Sequence, residues 1–122
     1  MAHDYRAALD KYRGVNVIGQ TAYVSGHIGW RDGAPTVTGT LGADLDVEAG
    51  RIAARDAAPT ALGTLEQALG DLTTIAAVAR IFGTVRATAA FAQHPAVIDG
   101  ASQLLLDVLG PDVGAHARSR SA

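Results

Sequence analysis

The sequence has no cysteine, a single lysine at Lys11, one tryptophan, one methionine, and only 5% aromatic residues. Without cysteine there can be no disulfide scaffold, no zinc–thiolate cluster and no thiol nucleophile. Ten basic residues against 12 acidic ones give a net charge of −2, and the basic ones are not clustered. A phosphate backbone requires concentrated Lys and Arg, so no nucleic-acid partner is expected. The aromatics are too sparse for a base-stacking platform. No apolar run reaches membrane-spanning length, and Asp4, Arg6, Asp10 and Lys11 interrupt the N-terminal residues where a signal peptide would be apolar. No membrane partner is expected, and the cytoplasm is the expected compartment.

What is present is a chain of 122 residues, 48% hydrophobic, sufficient for one domain with its own core. That domain is expected to span 1–122, with a lead segment over 1–11 and a short tail over 119–122. About one residue in five is alanine, and arginine far outnumbers lysine, a bias typical of a GC-rich bacterial gene.

Two β-favouring runs, 13–18 and 21–28, flank Gly19-Gln20, which predicts a hairpin with a type II′ turn. A weaker extended piece is expected around 35–39, after the turn signal Arg31-Asp32-Gly33. Asp44 or Asp46 can cap a long helix whose apolar stripe is Ala58, Leu62, Leu65 and Leu69. Pro59 predicts a kink, and Gly70-Asp71 ends the helix. The continuous apolar run 75–85 reads as a central strand. His94-Pro95 then reads as an N-cap with a first-turn proline, opening a second helix with the stripe Ile98, Ala101, Leu105 and Val108. Gly110-Pro111 stops it. The predicted architecture is α+β, a mixed sheet with both helices packed on one face. If the first helix joins parallel strands, its crossover from the hairpin to the 75–85 strand should be right-handed.

Standard catalytic motifs are missing: there is no P-loop, no GxGxxG after a strand, no HExxH and no GxSxG. Ser25 and His27 share a strand face but lack a nucleophile elbow. His3, His27, His94 and His116 have no metal-ligand spacing, so no metal is expected. Trp30 reads as a core or interface anchor. Arg118 sits among small residues in Ala115-His116-Ala117-Arg118-Ser119, which leaves a guanidinium free for a bidentate grip on a carboxylate. From the residues alone, a solvated tail arginine is the ordinary alternative.

Several ordered blocks carry a resemblance. Tyr23-Val24-Ser25-Gly26-His27, then Thr38-Gly39-Thr40-Leu41-Gly42-Ala43-Asp44-Leu45, then Leu69-Gly70-Asp71-Leu72 resemble the Rid family of reactive intermediate deaminases, also called the YjgF family. Val97-Ile98-Asp99-Gly100-Ala101-Ser102 with Leu104-Leu105, followed by His116-Ala117-Arg118-Ser119, are similar to its longer-chain subgroup. The resemblance implies a chorismate-mutase-like protomer, a homotrimer with clefts between subunits, and hydrolysis of enamines and imines such as 2-aminoacrylate to 2-oxo acids and ammonia. It implies no cofactor and a small substrate bearing a carboxylate.

Carried over by position, the cleft arginine falls on Arg118 as carboxylate clamp. Tyr12 matches the tyrosine before the first strand, and Gly26 the glycine that lets substrate approach the backbone. Asp99 stands where the family usually has Asn, and Arg120 where a small or thiol residue is usual. The resemblance also leads one to expect a last strand with a water-positioning glutamate, which this sequence, ending at Ala122, would lack. Asp99 could take over the water and Arg120 could add a second cation; alternatively the two pair with each other or face solvent. The expected function is a Rid-type imine deaminase. The alternative is a non-catalytic module of the same fold that binds a small molecule or a protein. Ribonuclease activity is disfavoured by the charge balance.

Overall fold

The computed structural model describes residues 11–121. Of the expected lead segment, residues 1–10 with His3 lie outside that range.

Strands β1 (Val15–Ile18) and β2 (Thr21–Val24) form an antiparallel hairpin in the register Val15↔Val24 to Ile18↔Thr21. Gly19, at φ 61°, takes the first central position of the turn, as a type II′ turn requires. The second strand ends at residue 24 rather than 28. The Ser25 hydroxyl there donates to the Arg13 carbonyl at 2.6 Å, and His27 turns away to meet Thr64 at 2.8 Å, which peels the chain off the hairpin.

A second, very short hairpin joins β3 (Trp30–Arg31) to β4 (Ala34–Pro35). Asp32 at φ 54° and Gly33 at φ 80° make the type I′ turn that an Asp-Gly pair favours. The turn signal is thus where the sequence puts it, but the extended piece expected over 35–39 is not. Pro35 cannot donate to a continuing ladder, and from Thr40 the chain closes a compact turn in which the Thr40 carbonyl accepts from Ala43, Asp44 and Leu45.

Helix α1 (Val47–Leu69) starts at Asp46, whose side chain accepts from the Ala49 N–H at 2.8 Å. Asp44 accepts from the Thr40 N–H instead. Pro59 leaves α1 undivided, and Gly70 at φ 86° closes the helix by donating to the Glu66 carbonyl at 2.8 Å. A 3-10 turn (Leu72–Thr74) capped by Asp71 follows.

The strand expected over 75–85 is reduced to β5 (Arg80–Thr84) and is not fully buried. Residues 75–79 follow the 3-10 turn without strand pairing, and the strand begins at Arg80, opposite Ala117. Its residues alternate: Ile81 and Gly83 are half-buried, whereas Arg80, Phe82 and Thr84 are exposed. One face of β5 is therefore open.

Helix α2 (His94–Val113) is capped by Gln93, not His94. His94 is buried at the first helical position, its ring edge-on to Phe91 at 5.2 Å, and Pro95 keeps the expected first-turn place. Gly110, at φ 87° and ψ 165°, interrupts the helix just before Pro111. Residues 119–121, expected as tail, complete strand β6 (Ala117–Ser121), which runs parallel to β5 with α2 as the crossover.

The architecture is α+β, as expected, but strand pairing is divided among three two-stranded ladders: β1-β2, β3-β4 and β5-β6. Because β5 pairs with β6, no parallel pairing links the hairpin to β5 among the described residues, and the crossover expected through α1 does not arise there. The core lies between the helices, with Ala58 and Leu62 of α1 against Leu104 and Leu105 of α2; Leu65, Val78, Ile81 and Ala101 pack around them. Burying such side chains contributes about 1.5–3 kcal/mol each. No helix is long and apolar enough to cross a membrane among the described residues.

The helices meet closely at Gly100, where an added Cβ would collide with the Arg51 carbonyl oxygen of α1. In an ordinary helix interior Gly→Ala stabilises by about 1 kcal/mol. Here overpacking reverses the sign, and Gly100→Ala is expected to destabilise the chain by about 1–3 kcal/mol in a denaturant melt. Farther along the same seam Asp107 accepts from Gln103 at 2.8 Å and from Arg55 of α1 at 3.2 Å. The Gln103 bond, and secondarily Arg55, hold its carboxyl below the ordinary aspartate value. The depressed folded-state value means that its stabilising effect is present above the unfolded-state pKa and is lost as pH falls through the folded-state one. An NMR pH titration should give a lower Asp107 midpoint in the folded chain than in urea, and Gln103→Ala should raise it.

Candidate functional site

Arg118 enters the structure through the register of the parallel ladder. It pairs with Ile81, so it points to the helix side of the sheet and lies along the first two turns of α2. Its Nη1 donates to Asp99 Oδ1 at 2.7 Å and to Ser102 Oγ at 3.2 Å, and its Nη2 donates to the Pro95 carbonyl at 3.3 Å. Pro95, Asp99 and Ser102 follow at helical spacings of four and three and so share one face of α2. The Arg118 side chain is 27% exposed and that of Asp99 63%.

Behind Ser102 the hydrogens follow from donor and acceptor capacity with the His116 ring neutral. His116 Nδ1 lies 2.6 Å from the Gly114 carbonyl, which can only accept, so Nδ1 carries the hydrogen. In the neutral ring Nε2 is then an acceptor, and it takes the Ser102 hydroxyl hydrogen at 2.8 Å. That leaves the Ser102 oxygen to accept from Arg118. The directed chain from Gly114 through His116 and Ser102 locks the guanidinium in one orientation. A partly exposed ion pair adds only about 0–1 kcal/mol to stability, so the arrangement contributes orientation more than energy.

A guanidinium has five N–H donors, of which three are used among the described residues, on Asp99, Ser102 and Pro95. The remaining two suffice for a pair of parallel hydrogen bonds to a carboxylate. Arg118 is therefore neither a solvated tail residue nor a saturated structural one.

Asp99 is brought to Arg118, not to Arg120. Arg120 lies exposed opposite Gly83, Tyr12 is 56% exposed ahead of β1, and Gly26 is open, with nothing within 4 Å of an added Cβ. None of these three bonds to Arg118 or Asp99. Sequence reasoning missed Ser102, His116 and the Pro95 carbonyl. The available signals were the spacing of Ser102 three residues after Asp99 and of His116 two before Arg118. Ser25 gives its hydroxyl to Arg13, and His27 joins the hairpin exit to Thr64 of α1, so the two do not form a nucleophile pair. Trp30 is 41% exposed, which removes the core reading within one chain. No group of three side chains placed to hold a metal ion occurs among the described residues.

Two helices over small sheets, with a β5-α2-β6 unit that carries the arginine, define a chorismate-mutase-like α+β protein. Residues 2–121 match the family described as "YjgF/chorismate mutase-like, putative endoribonuclease", and the chain belongs to that family, the Rid family that its sequence blocks resemble. It is similar to a structure described as a "putative endoribonuclease" from Shewanella oneidensis, with 34% identity and a TM-score of 0.87, covering 92% of this chain and 74% of the other. It is similar also to the protein Atu1372 from Agrobacterium tumefaciens, described as of unknown function, with 36% identity and a TM-score of 0.87, covering 93% and 72%. Protein TCP17 of Trypanosoma cruzi is 38% identical over 100 residues, which are 82% of this chain; the match spans 62% of the relative's length.

Removing the relay should loosen the guanidinium without unfolding the chain. His116→Ala is expected to cost about 1–3 kcal/mol, the net value of the two hydrogen bonds it removes. NMR relaxation of the Arg118 Nε–H should then show faster motion than in the wild type, whereas an unchanged order would contradict the assigned chain.

Proposed function

We propose that this chain is a Rid-type deaminase that hydrolyses reactive 2-imino acids, or their enamine tautomers, to 2-oxo acids and ammonia in a bacterial cytoplasm. One observation carries the reading: a guanidinium held in a fixed orientation with two donors unspent, at the position the family resemblance gives to the carboxylate clamp. In the reaction, water adds to the C=N carbon of R–C(=NH2+)–COO−. The C–N bond of the resulting carbinolamine then breaks, leaving R–CO–COO− and NH4+. Imine hydrolysis proceeds unaided in water, so a site that fixes the carboxylate and one water beside the C=N carbon can accelerate it through positioning. Arg118 supplies the first of these. Asp99, whose Oδ1 is on Arg118, is a polar group within reach of the second.

A homotrimer with clefts between subunits belongs to the same proposal, with Tyr12, Gly26 and Arg120 as contributors to the cleft. Exposed apolar side chains support it: Val17 is 51% exposed, Tyr23 60% and Phe82 62%, on strands whose open faces have no cover within one chain. The names of relatives mention endoribonuclease activity, but 10 basic against 12 acidic residues are a poor match for a polyanion. A binding module without turnover would use the same clamp and is separated by the assay below.

With 2-iminopropanoate generated in situ by an amino-acid oxidase, the wild type should speed loss of the imine. Arg118→Ala, which removes two charge-assisted bonds to the carboxylate, should lower kcat/KM by about 10²-fold. Equal rates for wild type, variant and buffer would reject the deaminase. Arg118-dependent binding without turnover would leave the module reading.

A further inference from the structure

The cation of this site has an anion beside it, and the pair together restricts what can bind. Asp99 uses Oδ1 on Arg118. Its Oδ2 takes no hydrogen bond among the described residues, and the side chain is 63% exposed, more than twice the exposure of Arg118. A ligand approaching the two free donors of Arg118 therefore comes up against a carboxylate as well as a guanidinium. A simple monoanion gains two bonds to Arg118 but is repelled by Asp99, and the paired site has little net charge to attract it from solution. A ligand with a cationic nitrogen one carbon away from its carboxylate has no such conflict: the carboxylate takes Arg118 and the nitrogen donates to Asp99.

The ion pair with Arg118 is the one contact of Asp99 among the described residues that uses its charge, and at this exposure it adds little to stability. Asp99 caps no helix, since α2 is capped at Gln93 and Asp99 lies in the second turn, and a neutral amide oxygen could also accept from Nη1, though without the charge assistance. The negative charge is also placed where it weakens the field of the Arg118 guanidinium. Such a placement lowers affinity for every anion and raises it only for ligands that carry a positive group at that spot.

We infer that Asp99 and Arg118 form a two-charge recognition site for a zwitterionic head, a carboxylate with a protonated nitrogen on the adjacent carbon. Asp99 is thus the residue that separates 2-iminium and 2-amino acids from 2-oxo acids. The inference rests on the carboxylate-clamp reading of Arg118 and deepens it. In the proposed reaction the substrate carries both charges and the 2-oxo acid product only one, so the same aspartate that holds the substrate nitrogen disfavours the product once ammonia has left. Recognition and product release then share one carboxyl group.

The test uses the full chain with two stable probes of equal carbon number, L-alanine and pyruvate, titrated by NMR chemical shift into wild type, Asp99→Asn, Asp99→Ser and Arg118→Gln. In the wild type, L-alanine should bind about tenfold more tightly than pyruvate, the ratio expected when an exposed charge attraction stands in place of a repulsion. Asp99→Asn is isosteric at an exposed position. It should weaken L-alanine and at the same time strengthen pyruvate, a change that damage to the fold would not produce, and Asp99→Ser should do the same. Arg118→Gln should weaken both ligands. A wild type that binds pyruvate as well as L-alanine, or a preference that survives both Asp99 variants, overturns the role of Asp99 while leaving the clamp intact. Failure of Arg118→Gln to weaken either ligand, or no binding of either to the wild type, overturns the clamp and this inference with it.

Discussion

The position of one side chain in a parallel ladder governs the rest of the site. Opposed residues of β5 and β6 face the same side of the sheet, and a slip by one residue would move Arg118 from the helix face to the open face. Two backbone bonds flank the ladder and fix it, from the Val78 N–H to the Val113 carbonyl at 3.0 Å and from the Ala117 N–H to the Ala79 carbonyl at 3.1 Å. The height of α2 above the ladder is set by Gly83, where an added Cβ would come within 2.6 Å of the Ile98 side chain. Ile98 is 4% exposed, so it seats the helix on the strand at the residue just before Asp99. Register and seating together bring a strand arginine and a helix aspartate, 19 residues apart in sequence, to 2.7 Å.

With the His116 ring neutral, that geometry is maintained by hydrogen bonds that run in one direction. The Gly114 carbonyl fixes the His116 tautomer, the tautomer fixes the Ser102 hydroxyl, and the hydroxyl leaves its lone pair for Arg118. Gly114 also closes α2 by donating to the Gly110 carbonyl at 2.9 Å. The end of the helix and the orientation of the guanidinium are therefore parts of one network, and the positive φ of Gly110 that bends the chain there contributes to both. Partly exposed bonds of this kind add little to folding free energy, but each restricts a rotamer, which is the property a positioning site needs.

Sequence patterns revealed those parts of the fold that depend on local chemistry. Gly19 and the Asp32-Gly33 pair were legible because positive φ limits the choice of residue, and Asp46 because a carboxylate ahead of a helix has a backbone donor to meet. The α1 stripe was legible from its period, and the α2 stripe as far as Leu105; Val108 is 54% exposed, and the core takes Leu104 instead. The elements misread depend on distant partners. The run 75–85 is mostly apolar in sequence, yet residues 75–79 pair in no strand, Ile75 only closes the preceding 3-10 turn, and Phe82 faces outward. The last residues look like tail because Ser, Arg and Ser carry no strand signal; they are extended because β5 offers an edge to pair with. At the site, the family resemblance supplied Arg118 and Asp99 as separate residues. Their contact, and the relay through Ser102 and His116, depends on ladder register, which no period in the sequence encodes.

The exposed apolar strands and the half-used arginine belong to the same architectural choice. The core lies between the two helices, with Ile81 of β5 at its edge, and the exposed residues of β1, β2 and β5 are left bare. The exposed side chains, Val17 and Tyr23 on opposite faces of the hairpin and Phe82 on the separate β5-β6 ladder, are apolar surface that further elements or a second copy would cover. The arginine lies at the opposite extreme, at the rim where β6 meets α2, surrounded by polar groups and open to water on one side. In the trimer proposed above, association would cover the bare strands and leave the rim as a cleft wall, so that Tyr12 and Gly26, which do not bond to Arg118 within one chain, could face it from a neighbour. A site divided in this way needs rigidity from each wall separately, and the network behind Arg118 already supplies it on this side before any partner arrives.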